Sequence, residues 1–306
     1  MNATKGARSF LARWQLYLML LLPLAYLIIF AYVPMFGAQI AFRKFTALGG
    51  IWNSPWVGLH YFRKFFQSYQ FGRVLPNTLI LSGYQLLAGF PIPILFALML
   101  NSLQSQAYKK TIQMVTYIPH FISMVVLVGI ILRIFNPLVG LFGQLYTGLT
   151  GAPAPDLLAS PNAFRHIYVW SGVWQNTGWG TIIYMAALAG VDKELHEAAM
   201  VDGATRFKRV LHIDVPSILP TITIVLILNC GQIMNIGFEK AFLLQNPLNQ
   251  RASEVISTYV YKVGLVDAGG DFSYAAAIGL FNSVVNFALI VVANLVSRKV
   301  SQTSLW

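Results

Sequence analysis

Long apolar segments recur along the chain, and polar connectors of unequal length separate them. Each segment has about the 20 predominantly apolar residues that a helix needs to cross the hydrocarbon core of a bilayer. The pattern therefore predicts an all-α, polytopic membrane protein with six transmembrane helices. The predicted spans are 16–36, 78–100, 115–135, 167–189, 218–236 and 275–296.

Composition supports a membrane protein, since 57% of the residues are hydrophobic and only 10% are charged. A soluble domain carries roughly a quarter charged residues. The formal net charge is +11, but the cations are scattered through connectors and form no long basic tract. They therefore indicate contact with anionic lipid headgroups and not with nucleic acid. A single cysteine, Cys230, excludes an internal disulfide and a Cys-based metal cluster.

The distribution of cations predicts the orientation of the chain. Lys and Arg are denser in the short connectors 101–114 and 190–217 than in the long loops. The positive-inside rule then predicts that both termini are cytoplasmic. Lys5, Arg8 and Arg13 precede the first apolar segment, as in a signal peptide. No small-residue cleavage site follows directly, so an uncleaved first helix is predicted.

The connector 193–216, between the fourth and fifth spans, predicts two short helices with a turn between them. Good helix formers occupy 193–201. Gly203 suits the left-handed residue that ends a helix. Thr205, or Asp202 before it, can cap the second helix. These two helices are too short to cross the membrane, and the predicted orientation places them on the cytoplasmic side.

The second helix of this connector is amphipathic. Phe207, Val210 and Leu211 form an apolar stripe at helical spacing. Pro216 is expected to reset the direction of the chain before the fifth span. Two interpretations are open: an interfacial helix against lipid headgroups, or a docking surface for a soluble partner.

Sequence motifs in the connector favour docking. Glu197-Ala198-Ala199 and Asp202-Gly203-Ala204 are followed by Ile213, Val215 and Pro216. This run resembles the EAA loop of type I ABC importer permeases, whose coupling helices dock in a cleft of the ATPase subunit. The residues that the resemblance implies for this contact are Glu197, Ala198, Ala199, Asp202, Gly203, Ala204, Phe207, Val210, Leu211 and Pro216. Departures from the family pattern are Val210, in place of a frequent aromatic residue, and Asp214, in place of a small hydroxyl residue.

The resemblance extends over roughly 77–299, the ABC transmembrane type-1 region. The segment 58–62 and the first helix are similar to the maltose-type carbohydrate branch, and 238–247 is similar to permeases for complex polysaccharide fragments. The implied parts are an N-terminal tail, first helix and extracytoplasmic loop (1–72), a permease domain (73–297) that contains the coupling loop 193–216, and a cytoplasmic tail (298–306).

Polar side chains inside two spans are the candidate cargo pathway. Such residues are costly in a membrane and are often functional. Amides can bond sugar hydroxyls, and an aromatic ring can cover a pyranose face. In maltose-type permeases the sugar contacts come from the corresponding two spans. Interhelical hydrogen bonding is the alternative role. The candidates are Gln175, Asn176 and Trp179 in the fourth span and Asn229, Gln232 and Asn235 in the fifth.

Other functional classes lack their residues. No acidic residue falls inside a predicted span, which disfavours an ion-coupled carrier and favours a neutral cargo. His196-Glu197 resembles the start of a zinc-protease motif, but Met200 stands where the second histidine is needed. No Gly-Lys pair occurs, so the chain has no phosphate-binding loop for ATP. No catalytic constellation is apparent, and the chain is not expected to be an enzyme.

The sequence thus predicts the permease subunit of an ATP-driven ABC importer for a carbohydrate, with an oligosaccharide as the favoured cargo. The alternatives are an ABC permease for another small solute and, less favoured, an ion-coupled secondary carrier. The resemblance implies a bacterial cell-membrane location. It also implies these partners: a second permease subunit, a dimer of ABC ATPase subunits, an extracytoplasmic sugar-binding protein and membrane lipids. No metal or cofactor is expected on this chain, because the partner ATPase uses ATP and Mg²⁺.

Overall fold

A computed structural model describes residues 14–267 and 269–301. Over this part the secondary structure is helical apart from isolated β-bridges, which confirms the predicted all-α class. The N-terminal cations Lys5, Arg8 and Arg13, and positions 302–306 of the predicted tail, lie outside the described residues. The described chain forms two compact units: 14–66 with 263–280, and 67–262 with 281–301.

The first unit begins with one long apolar helical segment, Trp14–Phe42. In the most apolar 18-residue stretch of this segment, no residue is buried. Its parts are α1 (Trp14–Leu27), a π-helical turn (Ile28–Tyr32), α2 (Val33–Met35) and a 3₁₀ segment (Phe36–Phe42). Two short helices follow, α3 (Gly50–Asn53) and α4 (His60–Phe66). Within this unit, Lys64 Nζ lies 3.0 Å from Asp271 Oδ2.

The second unit contains most of the helices. The first half of the unit has α5 (Phe71–Gly89), α6 (Pro91–Asn101), α7 (Gln106–Tyr117), α8 (Met124–Ile134), α9 (Leu141–Thr150) and α10 (Pro161–Ala189). Its second half has α11 (Lys193–Val201), α12 (Arg206–Arg209), α13 (Val215–Cys230), α14 (Phe238–Leu244), α15 (Gln250–Ser253) and α16 (Ile256–Tyr261). The last helix, α17 (Phe272–Ser301), belongs to both units.

Local sequence signals explain where several of these helices begin. The hydroxyls of Ser105, Ser123 and Ser160 accept hydrogen bonds from backbone N–H groups at the starts of α7, α8 and α10. Pro161 follows Ser160 in the first turn of α10, where its missing N–H would have had no helical partner. Serine caps of this kind stabilise a helix by about 1 kcal/mol.

The helix α10 is the central element of the second unit. Its 29 residues give it a length of about 43 Å. Near its start, Tyr168, Val169 and Val173 belong to a buried apolar cluster with residues of α5, α8 and α14. Near its end, Tyr184 and Leu188 pack with residues of α6 and α13. Both ends of α10 are therefore held by neighbouring helices.

The described helices are compatible with the predicted six spans, but the count itself stays a prediction. Four helical segments are long and apolar enough to cross a membrane: Trp14–Phe42, Phe71–Asn101, Arg206–Cys230 and Phe272–Lys299. The bent pair α7 and α8 supplies a fifth if it is one span. The helix α10 has the length, but its amides, tryptophans and glycines lower its mean hydropathy.

The third predicted span, 115–135, is sharply bent. The helical path bends by 97° between Gln106–Phe121 and Met124–Ile134. Pro119 lies in a 3₁₀ turn at this bend, and Ser123 then caps a new helix. Proline lacks the N–H that would continue the helix, and the serine cap stabilises a fresh start.

The fifth span also differs from its prediction. The helix ends at Cys230, so positions 231–234 of the predicted span form turns and 235–236 have no regular structure. The expectation that Pro216 resets the chain is wrong, because helical structure continues from Arg206 to Cys230. A π-helical turn, Val210–Asp214, directly precedes the proline. This wider turn accommodates the missing N–H without a break.

The close contact between α7 and α10 yields a stability prediction. A Cβ atom on Gly178 would collide with the backbone carbonyl of Thr116. We expect Gly178→Ala to destabilise the protein by about 1–3 kcal/mol, because a backbone cannot move aside as a side chain can. Thermal unfolding of the purified complex measures this. Gly129→Ala is the control, since a Cβ there meets nothing within 4 Å; equal melting temperatures for both variants would contradict the packing.

Candidate functional site

The connector 193–216 folds as two capped helices, which confirms the predicted local structure. The Asp192 carboxylate accepts a 2.9 Å hydrogen bond from Glu194 N–H and begins α11. Gly203 has a φ of 72°, the left-handed conformation expected at the end of this helix. The Thr205 hydroxyl accepts a 3.4 Å bond from Lys208 N–H and begins α12. Of the two candidate caps, Thr205 fills the role.

The surface of this coupling loop is unusually apolar for an exposed segment. Val201 is 89% exposed and Phe207 is 71% exposed, and Leu195, Met200 and Leu211 are also exposed. Most predicted contact residues are exposed: Glu197, Ala198, Asp202, Gly203, Phe207, Leu211 and Pro216. Ala199, Ala204 and Val210 are half-buried. Val210 packs against the cluster of α6, α10 and α13, so it serves the bundle as well as the loop.

One polar contact ties the loop to the bundle. His196 Nε2 of α11 lies 3.2 Å from Asp214 Oδ1, at the end of the π-helical turn. Asp214 is buried although it carries a carboxylate. The sequence singled out His196 only as part of a false zinc motif. Among the described residues, no three His, Cys, Asp or Glu side chains are placed to hold a metal ion.

A cavity of about 680 Å³ lies within the second unit, between α5, α6, α10, α13 and the segment that leads into α14. Five of the six predicted pathway residues line it: Gln175, Asn176, Asn229, Gln232 and Asn235. Trp179 does not. Its indole stacks on the His120 ring at 4.5 Å between centroids, near the bend before α8. Trp179 therefore lies outside this cavity, and its place in the cargo pathway stays a prediction.

The two amides of α10 have different environments. Gln175 is 5% exposed, and its Nε2 donates a 2.9 Å hydrogen bond to Ile122 O. It therefore holds the bent segment after Pro119 against α10. Asn176 is exposed to the cavity, and its Oδ1 lies 3.1 Å from His120 Nδ1. The alternative role, interhelical bonding, describes Gln175 best.

The amides that follow α13 converge on the cavity without forming one helical stripe. Asn229 lies in the last turn of α13 and is exposed. Asn235 Nδ2 donates a 3.0 Å bond to Gln232 Oε1, and Asn235 Oδ1 accepts one of 3.0 Å from Asn282. Asn282, on α17, extends this amide chain, and the sequence analysis had not selected it.

Lys240 of α14 is the principal cavity residue that sequence reasoning missed. Its side chain lines the cavity and is 3% exposed. Its Nζ donates a 2.6 Å hydrogen bond to Tyr168 O and lies 4.7 Å from the centroid of the Tyr168 ring. Burial lowers the pKa of the Lys240 ammonium to about 7. The lysine follows the predicted end of the fifth span, so no intramembrane signal identified it.

A second cavity, also of about 680 Å³, lies at the start of α10. Three arginines line it: Arg73, Arg165 and Arg251. Glu254 forms an ion pair with Arg73. Arg165 Nη2 donates a 3.1 Å bond to Asn77 Oδ1. This cavity is at the opposite end of α10 from the coupling loop.

These features define a class of membrane protein: a solute permease with a polar internal cavity and a solvent-exposed apolar loop at the end of its central helix. The chain matches the family model described as "Binding-protein-dependent transport system inner membrane component" over residues 89–302. The chain belongs to this family.

Relatives cover almost the entire chain. The chain is 43% identical over 294 residues to Protein LplB of Bacillus subtilis, which covers 96% of this chain and 91% of that protein. It is 39% identical over 291 residues to the polygalacturonan/rhamnogalacturonan transport system permease protein YteP of the same organism, with coverages of 95% and 90%.

A solved structure agrees with the fold. The crystal structure of a bacterial ABC transporter that imports the acidic polysaccharide alginate matches with a TM-score of 0.88 and 39% identity, over 97% of this chain and 99% of that chain. The comparisons confirm the predicted type I ABC permease fold. They also confirm that the chain is a permease subunit and not an enzyme.

The different environments of the amides predict different effects on stability. Gln175→Met should destabilise the protein by about 1 kcal/mol, because Ile122 O loses its hydrogen bond in a low-dielectric interior. Asn229→Ala should leave the melting temperature unchanged, since the Asn229 side chain borders the cavity. Thermal unfolding of both purified variants checks this. A larger loss for Asn229→Ala would reverse the assigned roles.

Proposed function

We propose that this chain forms half of the translocation pathway for an oligosaccharide in an ATP-driven importer. The other parts are a second permease, a dimer of ATPase subunits that use ATP and Mg²⁺, and an extracytoplasmic sugar-binding protein. The names of several relatives support a carbohydrate cargo, including the polygalacturonan/rhamnogalacturonan permease and an arabinooligosaccharide permease that is 30% identical over 238 residues. One matching structure contains an alginate pentasaccharide-bound periplasmic protein.

The cavity chemistry supports a sugar. Asn229, Gln232 and Asn235 present amides, each of which both donates and accepts hydrogen bonds. Sugar hydroxyls require this mixture of donors and acceptors. A volume of about 680 Å³ lies within the usual range for small-molecule sites. The cavity is therefore suited in size and in polarity to part of an oligosaccharide.

The proposed mechanism depends on two continuous helical segments that connect the loop with the cavity. The coupling loop lies between α10 and the helical segment Arg206–Cys230. Asn176 is 13 residues from the loop end of α10, and Asn229 is 14 residues beyond Val215. At 1.5 Å per residue, both paths are about 20 Å long. A displacement of the loop would thus reach two walls of the cavity through rigid helices.

The proposed cycle is alternating access. ATP binding moves the ATPase subunits, the docked loop moves with them, and the cavity opens outward to receive cargo. Hydrolysis then returns the cavity to the cytoplasmic side. Nucleotide can drive this cycle only if it binds one global state more tightly than the other. This cycle requires the coupling loop, and with it both termini, to be cytoplasmic.

An ion-coupled carrier is not favoured. Such a carrier commonly uses an intramembrane carboxylate as an ion ligand or proton relay. Among the described residues, no Asp or Glu lines the cavity. An external motor that acts on the loop accounts for transport without that group.

Gly203 offers a test of the coupling loop. We expect Gly203→Val to impose about 1–2 kcal/mol of backbone strain, because a β-branched residue disfavours a φ of 72°. Transport in proteoliposomes should fall at least tenfold, while the ATPase subunits still hydrolyse ATP.

Gly203→Asn is the matched control, since asparagine tolerates the left-handed conformation. It should retain most of the transport. No Cβ contact complicates the comparison, because open space surrounds this position. Full transport by Gly203→Val would argue against a coupling role for the turn.

The cavity amides offer a second test. Asn229→Ala and Gln232→Ala should reduce uptake of some oligosaccharides at least fivefold more than others, because each amide bonds only particular hydroxyls. Uptake of a panel of labelled oligosaccharides by the reconstituted importer measures this. Trp179→Phe is the control, since Trp179 does not line the cavity. An equal loss for every sugar would indicate a packing role.

A further inference from the structure

Lys240 is a buried cation without a carboxylate partner. The ion pairs of the described residues involve Lys64, Arg73 and His196, and none brings a carboxylate within 4.0 Å of Lys240. Removal of an ammonium from water costs several kcal/mol unless an opposite charge compensates. The carbonyl of Tyr168 and its ring offset only part of this cost. The described residues therefore offer the protonated form of Lys240 no counter-charge.

We propose that Lys240 is the counter-charge for a carboxylate of the cargo, and that the cargo is an acidic oligosaccharide containing uronate units. This inference rests on the proposed transport function and narrows its substrate class. It also replaces the neutral cargo expected from the absence of acidic residues in the spans.

The geometry leaves the ammonium available to a ligand. The Nζ has three N–H donors, and Tyr168 O accepts one of them. A Cβ atom on Gly172 would lie 3.2 Å from Lys240 Nζ and 3.1 Å from Gln85 Oε1. Both distances are shorter than ordinary van der Waals contact, so Gly172 lets the two side chains lie close against α10, where both line the cavity. A carboxylate in the cavity can bond the ammonium while Gln85 bonds a neighbouring hydroxyl.

The charge around the cavity favours an anion. The titratable side chains in its lining are Lys240, Tyr168 and Tyr184, and no acid is among the described lining residues. The second cavity adds Arg73, Arg165 and Arg251, with Glu254 as the acid paired to Arg73. Seven residues of α10, or about 10 Å, separate Pro161 at this second cavity from Tyr168 beside Lys240. Arg165, Arg251 and Lys240 therefore line the two cavities without a paired acid, a balance that favours an anionic solute.

A purely structural role for Lys240 makes a different prediction. In that role the ammonium only fastens α14 to α10 through Tyr168 O. Its removal would then weaken binding of every cargo alike. A counter-charge discriminates between a cargo with a carboxylate and the same cargo without one. The two roles are separable by a pair of ligands that differ in this group alone.

The test uses a galacturonate pentasaccharide and its carboxyl-reduced counterpart, in which each carboxylate becomes a hydroxymethyl group. Calorimetry measures the affinity of both for the purified permease–ATPase complex without its binding protein, so that the binding protein exerts no selection. We expect the wild type to bind the acidic form at least tenfold more tightly. Lys240→Met should abolish this preference, and Lys240→Arg should retain it. Lys262→Met, at an exposed lysine outside both cavities, should leave the preference unchanged.

Several results would overturn the proposal: equal affinities in the wild type, a preference that survives Lys240→Met, or equal weakening of both ligands in that variant. Failure of the wild-type complex to bind either ligand would also overturn it. ATP-dependent uptake in proteoliposomes separates the two levels of inference. Import of neutral oligosaccharides alone would leave the transport function intact and refute the acidic cargo. No import of any oligosaccharide would refute the transport function itself.

Discussion

The membrane interior offers no water to polar side chains, so each one needs a partner or a wet cavity. This constraint separates the polar residues of the bundle into two groups. Gln175 donates a hydrogen bond to the backbone carbonyl of Ile122 and so connects α10 to the bent segment before α8. Asn229 and Gln232 remain exposed beside a cavity. The second group suits the proposed pathway, because a hydrated channel or a polar cargo can compensate its cost.

The same constraint favours long, continuous helices, whose backbone groups bond internally. Two of them connect the coupling loop with the cavity, and in the proposed mechanism they transmit the motion of the loop to the pathway. The π-helical turn Val210–Asp214 preserves this continuity across Pro216. The contact of His196 with Asp214 connects α11, the first helix of the loop, to the same turn. Loop and helix can therefore move as one body, which a proline break would have prevented.

Local signals in the sequence predicted the loop well. Gly203 and Thr205 act through their own backbone neighbourhood, so their roles follow from the residue types and their spacing. The structure differs from the expectations where the residue type alone does not decide the backbone path or the neighbouring side chain. Pro216 was expected to reset the chain, but a wider preceding turn absorbs it. Trp179 shares a helical face with Gln175, yet it stacks on His120 and lies outside the cavity that Gln175 lines. Periodicity predicts which residues share a face of a helix, but it does not predict which residues pack against that face.

Lys240 shows that the sequence pattern also does not predict the surroundings of a charged side chain. The predicted spans contain no acidic residue, and that pattern predicts a neutral cargo. The chain after α13 instead returns and packs α14 against the bundle, which brings a cation into the cavity from outside any apolar segment. The tertiary fold, and not the position in an apolar segment, thus decides whether a charged residue lies beside the cavity. The lining of this cavity contains amides and one lysine without an acidic partner, and the proposed cargo supplies the anion.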